Sequence, residues 1–116
     1  MSAFVETSLR RAEMLREWRA WARRIAGAAR ELLPDAEVYV TGSVVRGDYV
    51  AGSDVDILIV SPSVPDEARE RARVKVMIEE RLDLPYYHPF EMHLVKPEEA
   101  EAYLRRAGRD VVKVDG

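Results

Sequence analysis

The sequence predicts an α/β fold in which helices cover a small β-sheet. Three observations carry this. Helix-period and strand-period segments alternate along the chain, the pattern of a sheet layered with helices. Most glycines and prolines fall between these segments or at their ends, with Gly27 inside the first helix as the exception. The chain has 116 residues, which suits one domain, and 47% of them are hydrophobic, enough for a single core.

The elements follow in order. Residues 8–33 predict one long amphipathic helix. Leu15, Trp18, Trp21, Ala22, Ile25, Ala28, Ala29 and Leu32 recur at three- and four-residue steps, the period of one helix face. Thr7 or Ser8 can cap its start and Pro34 ends it. The two Trp are core or partner-facing anchors. Residues 36–41, AEVYVT, alternate and predict a strand. Residues 43–50 predict one or two helical turns. Residues 54–60, DVDILIV, predict the second strand, closed off by Pro62 and Pro65. A charged helix follows over 66–83, with Ala68, Ala72, Val76 and Ile78 as its apolar stripe. Residues 89–95, PFEMHLV, set Phe90, Met92 and Leu94 against Glu91 and His93. A last helix over 97–107 has Pro97 in its first turn and Gly108 at its end, and DVVKV suits a final strand.

Composition narrows the class. Cysteine is absent, so there is no disulfide framework and no thiolate metal site. Asparagine and glutamine are absent too, and Arg outnumbers Lys 15 to 3. Dense charge without Asn, Gln or Cys suggests a hot-living source, although a GC-rich genome also favours Arg. Neither a membrane span nor a signal peptide is visible, which predicts a soluble, cytoplasmic protein. The net charge of −3 argues against a sequence-specific nucleic-acid binder or a template-directed polymerase. The basic run Leu9–Arg24 and the acidic run Pro97–Leu104 suit solvated helix faces.

Chemistry concentrates in TGSVVRGDYVAGSDVDILIV, Thr41–Val60. Asp54 and Asp56 stand two residues apart at the mouth of an apolar strand, so both point to one face, their Cα atoms about 6.6 Å apart. Val55, Ile57 and Ile59 point to the other. Two unpaired carboxylates repel, and the chain has to supply a cation. Arg46 could do so, but one planar fork does not serve two diverging carboxylates. A hard divalent ion bridges them better: Mg²⁺ takes one or two carboxylates together with water and phosphate oxygens. Upstream, Gly42 and Ser43 open a short helix, where glycine permits close approach and backbone N–H groups and a hydroxyl favour an anion. Gly-Ser and Asp-x-Asp are each common alone. Joined before an Ile/Leu/Val strand they predict a phosphate cradle facing a metal.

Gly42-Ser43, ten residues, then Asp54-Val55-Asp56 resembles the signature of the DNA polymerase β-type nucleotidyltransferase superfamily. At this length the chain looks like its minimal nucleotidyltransferases, often encoded beside a helical HEPN-domain partner. The resemblance implies a palm-like fold with a small mixed sheet. It implies that Gly42 and Ser43 hold the β- and γ-phosphates of ATP and that Asp54 and Asp56 bind Mg²⁺ at a two-ion site. A third carboxylate on a later strand would activate the acceptor hydroxyl; Glu91 matches, with Asp83 as the fallback. His93 shares Glu91's face and either assists or is simply solvated. Arg46 either contacts the triphosphate or pairs with Asp48 or Glu91.

The resemblance further implies transfer of AMP from ATP to a hydroxyl, a tyrosine of a HEPN-type toxin, which makes the chain an antitoxin. Two alternatives are a binding module that neutralises its partner by covering it, through Trp18, Trp21, Tyr86 and Tyr87, and a small-molecule nucleotidyltransferase. Homo- or hetero-oligomers are compatible with all three.

Overall fold

The computed structural model describes residues 2–115. Its elements are α1 (Ala3–Arg16), α2 (Trp18–Leu32), β1 (Glu37–Thr41), α3 (Ser43–Arg46), β2 (Val55–Val60), α4 (Ala68–Arg81), β3 (Phe90–Val95), α5 (Pro97–Ala107) and β4 (Val111–Val114). The strands form one mixed sheet in the order β3-β2-β1-β4. β1 runs antiparallel to β2 and β4, and β2 runs parallel to β3 across the α4 crossover.

The expected single helix over 8–33 is two helices. Ser2 caps α1, its side chain accepting from the Val5 N–H, so the start lies before Thr7, whose hydroxyl instead donates to the Ala3 carbonyl. The break is at Glu17, with φ −97 and ψ 28. No Pro or Gly marks it. It frees α1 from the line of α2, so that α2 lies on the sheet while α1 reaches the loop before β2. The expected stripe of α4 is also out of phase: Ala72 and Val76 are exposed, and Ile78 is buried, with Val74 and Leu82 packed against the core.

Strand alternation divides the molecule. Val38, Val40, Val55, Ile57, Ile59, Phe90, Met92 and Leu94 enter the main core beneath α1 and α2. Removing one such side chain, as in Ile57→Ala, costs about 2–5 kcal/mol. Trp18 is buried in this core and Trp21 packs on it, ring to ring with Phe90 at 6.0 Å. The two Trp therefore serve the chain's own core and are not a free partner surface. On the opposite face Leu58, Val60 and Val95 pack with Ala100 of α5. α5 is fixed by Pro97 at its start, by the Glu99 carboxylate accepting from the Lys96 N–H, and by the Arg71–Glu99 ion pair at 2.8 Å. Among the described residues no helix is long and apolar enough to cross a membrane.

The outcome for the site is positional. The face of β2 that carries Leu58 and Val60 begins with Asp56, and the face of β3 that carries Val95 begins with Glu91 and His93. α5 covers the apolar ends of these strands and leaves the polar ends open.

Candidate functional site

β1 ends at Thr41, which pairs with Asp56 across the antiparallel ladder. Gly42 follows with φ +98 and ψ −157, a backbone conformation open essentially only to glycine. A Cβ here would also stand 3.3 Å from Asp56 Oδ2. Gly42 thus lets the turn into α3 pass close against a carboxylate. Its own N–H donates to the Asp110 carbonyl at 3.2 Å, so that donor is engaged within the fold. Ser43 is half-buried at the first position of α3.

Asp56 and Glu91 are direct partners in the parallel β2–β3 register. His93 lies two residues beyond Glu91 on the same face, with Nε2 3.4 Å from Asp56 Oδ1. One ligand atom from each of Asp56, Glu91 and His93 falls within 4.8 Å of the others. Two oxygen donors and one nitrogen donor on a half-open sheet face suit a divalent cation.

Asp54 stands apart from this cluster. Its Oδ1 accepts from Arg11 Nη2 at 2.7 Å. Arg11 is 5% exposed, and it also donates to the carbonyls of Ala51 and Ser53. Its guanidinium sits over the Tyr87 ring, 5.1 Å from the centroid. Arg11 therefore ties α1, the motif loop and the segment before β3 together. The cation that the carboxylates require is thus supplied to Asp54 by Arg11, from a helix more than forty residues away in sequence.

Arg46 does not reach Asp54, Asp56 or Glu91. It pairs with Asp48 at 3.1 Å and Asp110 at 2.7 Å. Asp110 first and Asp48 second hold its pKa above the ordinary value, so it stays a cation at the edge of the site. Asp83 lies beyond the end of α4 with φ 50 and is not among the cluster.

A cleft lies on either side of the carboxylates, one lined by Asp56 and the other by Asp54 and Glu91. The larger, of about 370 Å³, runs from Thr41, Gly42 and Arg46 past Asp56 and His93 to Tyr103 and Arg106 of α5. It offers a cation at one end, carboxylates in the middle, and an aromatic ring with a guanidinium 5.1 Å over it at the other. The smaller, of about 250 Å³, is lined by Asp54 and Glu91 with Lys75, Glu79, Tyr86 and His88. Arg11, Asp110, Tyr103 and Arg106 carry no local sequence signal; only the fold brings them to the motif.

Residues 22–110 match the nucleotidyltransferase domain family. A crystal structure of a protein provisionally assigned as a nucleotidyltransferase is 32% identical, with a TM-score of 0.63 over 78% of this chain and 94% of that one. Two others share the fold. One, from Sulfolobus solfataricus and likewise provisionally assigned, is 22% identical with a TM-score of 0.58, over 97% of this chain and 86% of that one. The other, a toxin–antitoxin structure with AMP-PNP, is 20% identical with a TM-score of 0.56, over 80% of this chain and 71% of that one. No curated protein matches the sequence. The match spans most of the chain and encloses both the Gly-Ser turn and the Asp-x-Asp strand: the chain belongs to the nucleotidyltransferase domain family.

Proposed function

We propose that the chain moves AMP from ATP onto a hydroxyl, with a tyrosine of a HEPN-type toxin as the acceptor, and so acts as an antitoxin. The observation that carries this reading is the cross-strand pair Asp56–Glu91 at the open end of a sheet face, with Gly42 against it and a cleft on either side. Family membership supports the reaction class. The toxin–antitoxin neighbour with AMP-PNP supports the choice of ATP and of a toxin partner, through likeness of fold.

In this reading ATP occupies the larger cleft. Its triphosphate lies toward Gly42, Ser43 and Arg46, its nucleoside toward Tyr103. The acceptor hydroxyl enters by the smaller cleft. Its oxygen bonds to the α-phosphorus, the bond from that phosphorus to the bridging oxygen breaks, and pyrophosphate leaves. The hydroxyl proton passes to a carboxylate oxygen of Glu91. Asp54, Asp56 and Glu91 would hold the family's Mg²⁺, and the donor chemistry at Asp56 and Glu91 fits such an ion. The metal would neutralise phosphate charge and align the reactants. For Asp54 to share in a two-ion site, its carboxylate has to serve both the metal and Arg11, or leave Arg11.

The test is to combine the chain with a HEPN-domain toxin and supply ATP labelled at the α- or the γ-phosphate. Label from the α-position alone should become covalently attached to the partner. Label from the γ-position would show a phosphoryl transferase instead, and no label from either would leave the chain as a binding module.

A further inference from the structure

Resting on the nucleotidyltransferase reading, we propose that the chain also modifies itself, with the Tyr86 hydroxyl accepting AMP within the same molecule. Tyr86 borders the smaller cleft together with Asp54 and Glu91, so a tyrosine stands on the side by which an acceptor hydroxyl enters. The segment that carries it, between α4 and β3, is held on both sides. Leu84 packs against the core, and its N–H donates to the Glu79 carbonyl at 2.9 Å. The Tyr87 ring lies under the Arg11 guanidinium. His88 Nε2 is 2.7 Å from a Glu79 carboxylate oxygen, and its Nδ1 accepts from the Phe90 N–H at 3.1 Å. Pro89 is buried, and its carbonyl accepts from the N–H of Val55, the residue between Asp54 and Asp56, at 2.7 Å. The segment is thus tied to the motif strand itself. Tyr86, between these anchors, is fully exposed, and its side chain makes no hydrogen bond or ring contact among the described residues.

The chain's other four tyrosines are engaged elsewhere. The Tyr39 hydroxyl donates to Glu37 at 2.7 Å, and Tyr49 packs against the core. Tyr87 is under Arg11. Tyr103 lies in the larger cleft, between His93 and Arg106. Tyr86 alone combines a free hydroxyl with a place at the acceptor side of Glu91. In the step, Tyr86 Oη bonds to the α-phosphorus of ATP, the bond from that phosphorus to the bridging oxygen breaks, and pyrophosphate leaves. The phenol proton passes to a carboxylate oxygen of Glu91. The product is a phosphodiester between Tyr86 and AMP. An acceptor fixed in the same molecule makes the transfer unimolecular in the chain.

The test incubates the full chain with a divalent cation and ATP labelled at the α-phosphate, without toxin, and maps the attached label by peptide mass spectrometry. Label should appear on the peptide that bears Tyr86, at a rate per molecule that does not change on dilution. Tyr86→Phe should lose the label while keeping the wild-type Tm, since the side chain touches nothing that holds the fold. Asp56→Asn, which keeps the acceptor but lacks a carboxylate of the site, should stay unlabelled when mixed with Tyr86→Phe. A parallel reaction with a HEPN-domain toxin separates the two readings. Labelled toxin beside an unlabelled chain would overturn this proposal and leave the transferase reading standing. A chain labelled at Tyr86 beside an unlabelled toxin would support it and count against the toxin as acceptor. Label on another residue, label retained in Tyr86→Phe, label on Asp56→Asn in the mixture, or no label on either protein would each overturn it.

Discussion

Asp56 and Glu91 face each other directly across the parallel β2–β3 ladder, two carboxylates from neighbouring strands with no arginine or lysine paired to either among the described residues. Like charges directly opposite each other in a sheet destabilise it. Arg11 is committed to Asp54, and Arg46 to Asp48 and Asp110. The pair is therefore expected to burden the ligand-free fold, and a bound cation would relieve it.

Gly42 should tolerate no side chain. Gly42→Ala places a Cβ 3.3 Å from Asp56 Oδ2 at φ +98, and the strained backbone alone costs about 1–3 kcal/mol. Denaturant unfolding should show that loss. Gly47→Ala, also at positive φ but with nothing within 4 Å of the added Cβ, should destabilise less and leave ligand binding intact.

Arg11 should matter more to stability than its place on an otherwise exposed helix implies. Arg11→Ala removes hydrogen bonds to the Ala51 and Ser53 carbonyls and to Asp54. A loss of about 3 kcal/mol is expected, since each charged hydrogen bond contributes about 1.5–3 kcal/mol and they are not additive. Asp54→Asn should cost less, because that carboxylate is 56% exposed. Equal losses, read from urea midpoints, would contradict the view that Arg11 anchors the loop mainly through its carbonyls.

Acid should loosen α5. Arg71 holds the Glu99 carboxyl below its ordinary value of 4.5, with a further contribution from the Lys96 N–H. Lys96 lowers Asp66 below 3.8. Folded values below unfolded ones mean that this stability is fully present above about pH 4.5 and is lost as pH falls through the lowered folded values. Both carboxylates are solvent-exposed, so the effect is small and screened by salt. In a pH series of Tm, Glu99→Gln should flatten part of the acid limb; an unchanged limb would show the pair to be idle.

Much of this fold was legible because binary pattern and punctuation agree. The alternation of residues 36–41, of Val55, Ile57 and Ile59, and of Phe90, Met92 and Leu94 against Glu91 and His93 was readable, and Val38, Val40, Val55, Ile57, Ile59, Phe90, Met92 and Leu94 form the core face. The 97–107 helix was bounded by Pro97 and Gly108 and has those bounds. The break at Glu17 was not legible, because it follows from tertiary reach and not from a breaker residue. The stripe of α4 was misread because the helix is short of apolar residues and half-buried Arg71 shares its inner face, donating to the Leu94 carbonyl and to Glu99. At the site, strand period is local and so predicted that Glu91 and His93 share a face. The partners of Asp54 and Arg46 are set by contacts 43 and 64 residues away in sequence, which no local pattern encodes.

The central claim is that Asp56 and Glu91 exist for a ligand and not for the fold. Tm measured with and without ATP plus a divalent cation, on the wild type, Asp56→Asn and Glu91→Gln, tests it most directly. The wild type should gain stability with the two together, by mass action on the folded state. Each variant should be as stable as the wild type or more stable when ligand-free, and should lose the gain. Variants that are destabilised when ligand-free yet keep the full ligand-induced rise would contradict it.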